Sequence, residues 1–204
     1  LAPESSVSSG LAIFGYGSLV SPASAAVTLG RPVEVRRARL SGWRRGWTVG
    51  RHNLMGEKTF APVGDEPPFE YCLGLNVEPE PGLEEPLWPN GCLIDVTAAE
   101  LERLDRRELR YDRDEVTADV RVAGGLIGAA AVFTFRSRPG HRYAEPPPDA
   151  VIIAQYLRTV ERAFEALGPG ELEAFRRSTG EPPVRVAEAE LIRDEIPEGN
   201  PKQW

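Results

Sequence analysis

Histidine and cysteine are scarce in this chain of 204 residues, two of each, and the scarcity removes whole classes of chemistry. His52 and His141 stand at no metal-ligand spacing from each other or from Cys72 and Cys92, so no metal and no cofactor are expected. No Ser-His or Cys-His pair is evident, which leaves an external nucleophile without its usual activation. Both cysteines lie in apolar, strand-like stretches, where a free thiol behaves as a small buried hydrophobe and a disulfide is not implied. Long apolar runs are missing too: none approaches the about 20 residues that a membrane helix needs, so no membrane partner is expected. Positive charge is in deficit, 24 basic against 31 acidic side chains, for a net charge of -7, which argues against a nucleic-acid partner. An anionic ligand would have to be held locally. Arg44, Arg45 and Arg51 form the densest basic group near aromatic residues, although each also reads as part of a solvated basic edge.

What is present is the composition of a globular protein, 41% hydrophobic and 27% charged, in a length that one core can organise. Residues 1–10, rich in Ser, Gly and Pro, are expected to be a loose, disordered leader, residues 11–180 a single domain, and residues 181–204 a Pro-rich tail packed on it. The chain opens on Leu1-Ala2-Pro3 and not on methionine, which leaves an upstream segment open. It carries no signal-peptide pattern, and the cytoplasm is the default expectation.

The most informative local pattern is Leu11-Ala12-Ile13-Phe14-Gly15-Tyr16-Gly17-Ser18-Leu19, an apolar strand that runs into two glycines, an aromatic and a hydroxyl. Glycines let the chain turn sharply and let a ligand approach the peptide N–H groups of Tyr16 to Leu19. Ser21-Pro22 follows as N-cap and first helical residue, so the turn leads into a helix whose N-terminal end favours negative charge. The turn reads as an anion cradle or, equally, as a plain strand-to-helix connection. A dinucleotide fingerprint is disfavoured, because its third glycine falls at Val20, and no Walker lysine follows.

Downstream, the pattern predicts a helix over Ala23–Thr28 closed by Gly30, then strands over Val33–Leu40, Trp43–Val49, Phe69–Val77 and Gly91–Val96. The segment 57–68 is broken by Gly and Pro, and the segment 78–90, with four prolines and several acids, reads as a surface loop. Thr97-Ala98-Ala99-Glu100 is a capping box that starts a helix. Strands at Tyr111–Val122 and Leu126–Phe135 are expected to form a hairpin through Gly124-Gly125. Asp149 is expected to cap a helix with Ile152, Tyr156, Val160, Phe164 and Leu167 on one stripe, and a last helix spans Glu171–Arg177. Many strands and few helices predict an α+β domain around a curved mixed sheet.

Within the capped helix Leu101 and Leu104 define the inward face, and Glu108, seven and four positions on, falls near the same stripe. A carboxylate facing a partly apolar interior is a candidate proton acceptor. Two plainer readings stand beside it: a helix already ended by residue 108, or an ion pair with Arg113. Glu102, Asp105, Arg106 and Arg107 fall on other faces and read as solvated surface.

With the glycine turn and this glutamate in hand, the chain resembles the γ-glutamylcyclotransferase-like superfamily. Phe14-Gly15-Tyr16-Gly17-Ser18-Leu19 matches that family's substrate loop, and Leu104-Asp105-Arg106-Arg107-Glu108 with Tyr111-Asp112-Arg113 resembles the segment carrying its catalytic glutamate. Gly42-Trp43-Arg44-Arg45-Gly46-Trp47 resembles its glycine-aromatic-x-arginine strand; Tyr143 before Pro146-Pro147-Pro148 is a looser match to its C-terminal tyrosine and proline segment. The resemblance implies a small mixed β-barrel flanked by helices. It also implies a reaction in which the α-amine of a γ-glutamyl amide attacks its own amide, releasing 5-oxoproline. Glu108 is then the general acid/base, and the amides around Gly17, Ser18 and Leu19 hold the glutamyl carboxylate or the developing oxyanion. Tyr16, Tyr143 and, more weakly, Arg45 would contact the small anionic γ-glutamyl substrate. The loop 78–90 and the tail beyond Gly180 depart from the family pattern and are candidates for shaping the pocket mouth. The segment after Glu108 lacks the glycine that the glutathione-specific branch carries before its tyrosine and is closer to the γ-glutamylamine branch, so the leaving amine stays unnamed. A non-catalytic module that binds a small carboxylate, or an amide hydrolase, would use the same loop.

Overall fold

The strand that delivers the glycine turn lies inside a sheet, with partners on both edges. A computed structural model describes residues 10–125 and 127–195. The expected leader up to residue 9, Leu126 at the expected start of a strand, and the tail from residue 196 lie outside the described residues. In chain order the elements are β1 (Leu11–Gly15), a helical turn at Ser18–Val20, α1 (Pro22–Leu29), β2 (Arg36–Leu40), β3 (Trp43–His52), β4 (Lys58–Pro62), β5 (Tyr71–Pro79) and β6 (Asn90–Val96). There follow α2 (Ala98–Arg107), β7 (Tyr111–Glu115), β8 (Val120–Val122), β9 (Ala131–Ser137), β10 (Ala150–Ile153), α3 (Ala154–Leu167), α4 (Glu171–Thr179), β11 (Val186–Ala187) and β12 (Ala189–Asp194).

Six strands make one mixed sheet in the order β7-β9-β1-β6-β2-β8, with β1 parallel to β9 and antiparallel to β6, Gly15 opposite Cys92. A second sheet runs β11-β10-β5-β3, and β4 pairs with β12 as a ribbon. Side chains join the two larger sheets: Ser137 N–H donates to Asn76 Oδ1 (2.8 Å) and the Tyr111 hydroxyl to the Leu75 carbonyl (2.8 Å). The fold is therefore the expected α+β class, a curled mixed sheet of half-barrel form with four α-helices among the described residues. Because β1 and β6 are covered on both faces, they read as nearly continuous apolar runs. Ile13, Phe14, Leu93, Ile94, Leu104 and Phe164 are buried at its centre, each such burial stabilising by about 1.5–3 kcal/mol.

Local signals act as the sequence implies at the two helices nearest the turn. Ser21 Oγ accepts from Ser24 N–H (3.3 Å), Pro22 opens α1, and Gly30 closes it at φ 73°. At α2 both arms of the capping box form, Glu100 N–H to Thr97 Oγ1 (3.2 Å) and Thr97 N–H to Glu100 Oε2 (2.7 Å).

Other segments differ from expectation. Ala150–Ile153 is a strand parallel to β5, and the helix begins only at Ala154; a short, fully buried β-branched run cannot be told from a helix by period alone. Asp149, expected as the N-cap, sits at φ 55° ahead of that strand. The stretch 111–122 is broken by a turn at Val116–Asp119, after which β8 pairs with β2 while β7 pairs with β9, so Gly124-Gly125 joins no hairpin. The segment 57–68, broken by Gly and Pro in the sequence, contains β4. Its Phe60 is held at both main-chain polar groups by the Asn53 side chain (2.9 Å each), and its partner β12 comes from the tail. Cys72 and Cys92 are free, with burial pushing the thiols up to about 11 and about 12.

Gly91 is where the sheet presses on the glycine turn. A Cβ there would collide with the Gly15 carbonyl oxygen and stand 2.9 Å from Phe14 Cζ. Gly91→Ala should lower the unfolding free energy by about 2 kcal/mol or more, because a paired strand lies on either side of the clash. Gly140→Ala, with nothing within 4 Å of the new methyl, should change it by less than about 0.5 kcal/mol. Urea titrations of the two variants check this.

Candidate active site

After β1 the chain closes a tight helical turn, with Val20 N–H donating to Gly17 O (3.0 Å) and Ser21 N–H to Ser18 O (3.3 Å). The amides of Gly17, Ser18 and Leu19 are left with no main-chain partner among the described residues, as at any helix start. Residues 14–19 form one wall of a recess of about 40 Å³; Leu75, Glu108, Tyr111, Phe135 and Tyr156 form the other. The fold thus brings together Tyr16, Gly17, Ser18, Leu19 and Glu108, which the sequence separates by some ninety residues. A Cβ on Gly17 would enter this recess, 3.5 Å from Leu75 Cδ1 and 3.6 Å from the Tyr156 hydroxyl.

Glu108 is the C-cap of α2. Its N–H still donates to Leu104 O (3.0 Å), but at φ -92° and ψ 65° its backbone has left the helix. The helix has thus ended at Arg107, and Arg113 pairs with Asp105 (2.8 Å) and not with Glu108. The Glu108 side chain is 12% exposed and accepts no hydrogen bond from any described residue. Its Oε1 lies 3.1 Å from Arg107 Nε, but that nitrogen lacks a hydrogen-bond partner, so the contact is an ion pair without hydrogen-bond alignment.

Arg107, expected on a solvated face, is 3% exposed. Nη1 donates to Thr28 Oγ1 (2.7 Å) and Ser24 O (3.3 Å), and Nη2 to Ser18 Oγ (3.0 Å) and Ser24 Oγ (3.1 Å). The available signal was spacing: Arg107 lies three residues after Leu104 and seven after Glu100, which is also buried.

Three tyrosines complete the wall. The Tyr16 hydroxyl donates to Phe135 O (2.6 Å) and that of Tyr111 to Leu75 O (2.8 Å). Burial, reinforced by neighbouring hydroxyls and the Glu108 charge, pushes Tyr16 and Tyr111 well above the ordinary tyrosine range; chiefly burial takes Tyr156 to about 12. All three stay protonated at neutral pH. The sequence places Tyr111 on a strand and Tyr156 on a helix stripe, where Tyr156 is the one side chain with a polar end among Ile152, Val160, Phe164 and Leu167.

Ser18, Glu108, Tyr111 and Tyr156 border a second, larger chamber of about 460 Å³, walled by α1, by β3, β4 and β5, and by the start of α3. Among the described residues no cluster of three or more His, Cys, Asp or Glu is arranged to hold a metal ion, and no helix is long and apolar enough to cross a membrane.

No protein-family model and no curated relative matches the sequence. Solved structures do match. A γ-glutamyl cyclotransferase aligns at TM-score 0.56 and 14% identity over 87% of this chain and 94% of its own. An uncharacterized human protein aligns at TM-score 0.55 and 15% identity, over 87% and 93%. YkqA of Bacillus subtilis aligns at 0.52 and 20% identity, over 82% of this chain and 53% of that one. This chain has the γ-glutamyl cyclotransferase-like fold. At such identities the likeness is one of fold, and the chemistry rests on the residues of the site.

Within this fold Arg45 and Tyr143 are not brought to the recess. Arg45 is 1% exposed, and its three nitrogens donate to Thr179 Oγ1 (2.7 Å), Tyr16 O (3.2 Å), Asn90 O (2.6 Å) and Oδ1 (2.7 Å), Ser178 Oγ (2.7 Å) and Phe175 O (3.3 Å). Its guanidinium lies over the rings of Phe164 and Phe175 (5.0 and 4.4 Å), and burial lowers its pKa to about 9. Tied this way, it holds the glycine turn at the Tyr16 carbonyl and has no donor free for a ligand. Tyr143 packs its ring where a Cβ on Gly50 would stand and against Tyr71 (5.8 Å between centroids), bordering neither cavity. No residue of the loop 78–90 lines either cavity.

Two outcomes follow for this site. Gly17→Ala should fold normally yet lose ligand binding in the recess, which paired unfolding and binding titrations will show. In the chamber wall, burial alone would raise the Glu57 carboxyl, but the Arg110 guanidinium outweighs it and holds the group at about 2, against 4.5. The folded state therefore favours ionised Glu57: its contribution is complete above pH 4.5 and is lost as pH falls towards 2. Glu57→Gln should flatten stability against pH across that window, measured by urea unfolding at successive pH values.

Proposed function

We propose that this chain is a γ-glutamyl cyclotransferase that releases 5-oxoproline from a γ-glutamyl amide, with Glu108 as its general acid/base. The observation that carries the reading is a mostly buried carboxylate, free of hydrogen bonds from the protein, on the same small recess as three unpartnered amides. Unpaired amides suit an anion, and a carboxylate with open lone pairs suits a proton. A γ-glutamyl head supplies both, as an α-carboxylate and an α-ammonium.

An α-amine with a pKa of about 8 is mostly ammonium at neutral pH and must lose a proton before it can attack. Glu108 takes that proton. The amine then adds to the γ-carbonyl carbon, closing a five-membered ring, and the carbonyl oxygen becomes an oxyanion. As the amide C–N bond breaks, the leaving nitrogen receives a proton from Glu108, and the carbonyl reforms as the lactam. The ammonium gives up two protons in all; the second reaches the freed amine through solvent. Because attack is intramolecular, positioning is worth effective molarities of about 10⁵ to 10⁸ M, which suits a site without an activated nucleophile. Tyr16 and Tyr111, whose hydroxyl protons are committed to main-chain carbonyls, offer oxygen lone pairs to the substrate's ammonium.

Mass spectrometry of reactions with a panel of γ-glutamyl amides tests the proposal. The expected product is 5-oxoproline, and Glu108→Gln, folded as judged by circular dichroism, should lower its rate by about 10²- to 10⁴-fold. Glutamate as product would point to a hydrolase, and binding without product to a carboxylate-binding module. Turnover retained in Glu108→Gln would remove the assigned base.

A further inference from the structure

The reaction above uses Glu108 twice, as base and as acid, and makes no use of the cation beside it. Arg107 is 3% exposed, and all four hydrogen bonds of its guanidinium end on neutral oxygens: Ser18 Oγ, Ser24 Oγ, Ser24 O and Thr28 Oγ1. Those oxygens fix the planar fork and leave its charge unneutralised. Among the described residues the one carboxylate within ion-pairing distance is that of Glu108, 3.1 Å from Nε. The same Nε is buried and makes no hydrogen bond, so the two groups share a charge interaction without sharing a proton. Glu108 thus feels a positive charge at contact distance while none of its lone pairs is occupied by an N–H of the guanidinium. Sheltered from water, such a charge acts with more force than it would in solvent.

We propose that Arg107 is a positioning residue that acts through Glu108 on the second proton transfer, making the protonated carboxyl group release its proton to the leaving nitrogen. This rests on the cyclotransferase reading, in which Glu108 takes a proton from the substrate's ammonium and then gives one back. Taking the proton neutralises Glu108 and leaves the buried guanidinium without a counter-charge. Giving it up restores the ion pair. In that step the Glu108 O–H bond breaks, the electron pair of the amide C–N bond moves onto nitrogen, and a new N–H bond forms there; Arg107 neither gains nor loses a proton. Arginine suits the task because it stays charged when buried, where a lysine more readily gives its proton away. A side chain that only braced the turn would help every substrate alike, whereas one that promotes proton delivery helps most where the leaving nitrogen needs the proton most.

The test uses two γ-glutamyl anilides of similar size, the p-methoxyanilide and the p-nitroanilide. The nitro ring draws charge from the leaving nitrogen, which then departs with little help from a proton; the methoxy ring does not. 5-Oxoproline formation gives kcat for each, and their ratio is the readout, because a change in folding, in binding of the glutamyl head or in the first proton transfer moves both alike. The wild type, delivering a proton to either, should turn the two over within about threefold of each other. Arg107→Gln should lose about tenfold or more on the p-methoxyanilide and much less on the p-nitroanilide, and Arg107→Lys should bring the ratio back towards the wild-type value. Thr28→Val takes one hydrogen bond from the guanidinium and leaves its charge, so it should not change the ratio. Equal losses on both anilides in Arg107→Gln, or a ratio widened by Thr28→Val, would make Arg107 a brace only and overturn the proposal. A wild type that already favours the p-nitroanilide by more than about tenfold overturns it as well, even where Arg107→Gln does not fold. In each of these cases 5-oxoproline still forms and the cyclotransferase reading stands; glutamate in its place, or no product from the wild type with either compound, would overturn that reading and the proposal together.

Discussion

A buried guanidinium, that of Arg107, sets the geometry on which the candidate site depends. Taking a cation out of water costs several kcal/mol unless the surroundings replace its hydration. Here four hydrogen bonds and one ion pair do so, from Ser18 in the glycine turn, from Ser24 and Thr28 in α1, and from Glu108 at the end of α2. Those partners come from three separate parts of the chain, so the cation fixes their mutual placement. A second guanidinium, Arg45, grips the same turn at the Tyr16 carbonyl while binding Asn90 and the C-terminal end of α4. The turn with the unpartnered amides is thus held by two guanidinium groups, at the Tyr16 carbonyl and the Ser18 hydroxyl, and its polar groups are oriented before any ligand arrives.

The rest of the site follows from that rigidity. The Gly91 backbone presses against Gly15, and the Tyr16 and Tyr111 hydroxyls lock onto carbonyls of neighbouring strands, so each recess wall is set by the sheets. The Glu108 side chain accepts no hydrogen bond from any described residue and has only an imperfectly aligned ion pair. In a packed interior nearly every buried polar group finds a hydrogen-bond partner, and the exceptions mark function or strain. Among the described residues such exceptions are Trp47 Nε1 and Arg107 Nε, the nitrogen 3.1 Å from Glu108, while Glu108 itself is 12% exposed and opens onto both cavities, beside amides with no main-chain partner.

Much of this was legible in the residues, and the boundary of legibility has physical causes. Local signals carried well at the glycine turn, Ser21-Pro22 and the Thr97 capping box, which depend on contacts within a few residues, whereas the helical spacing that points Glu108 inward stops at Arg107, and Glu108 reaches the recess as the C-cap. What escaped were features fixed by distant partners. The strand Lys58–Pro62 exists because Ala189–Asp194, more than a hundred residues away, pairs with it. Ala150–Ile153 is extended because it joins β5, although its apolar run reads as helix. Arg45 and Arg107 escaped because arginine is most often at the surface, and nothing within a few residues of either reveals the buried oxygens that receive them. Arg45 thus turned from a candidate ligand contact into a brace, and Arg107 from surface charge into the clamp of the site.

The central claim is that Glu108 serves a nucleophile belonging to the substrate itself and not a water molecule. Its most direct test is turnover of a γ-glutamyl amide carrying ¹⁵N at the α-amine in H₂¹⁸O, with mass analysis of the acid product. The account predicts 5-oxoproline that keeps the ¹⁵N in its ring and contains no ¹⁸O. Glutamate with ¹⁸O in its γ-carboxyl group would show that water had attacked, and would contradict it.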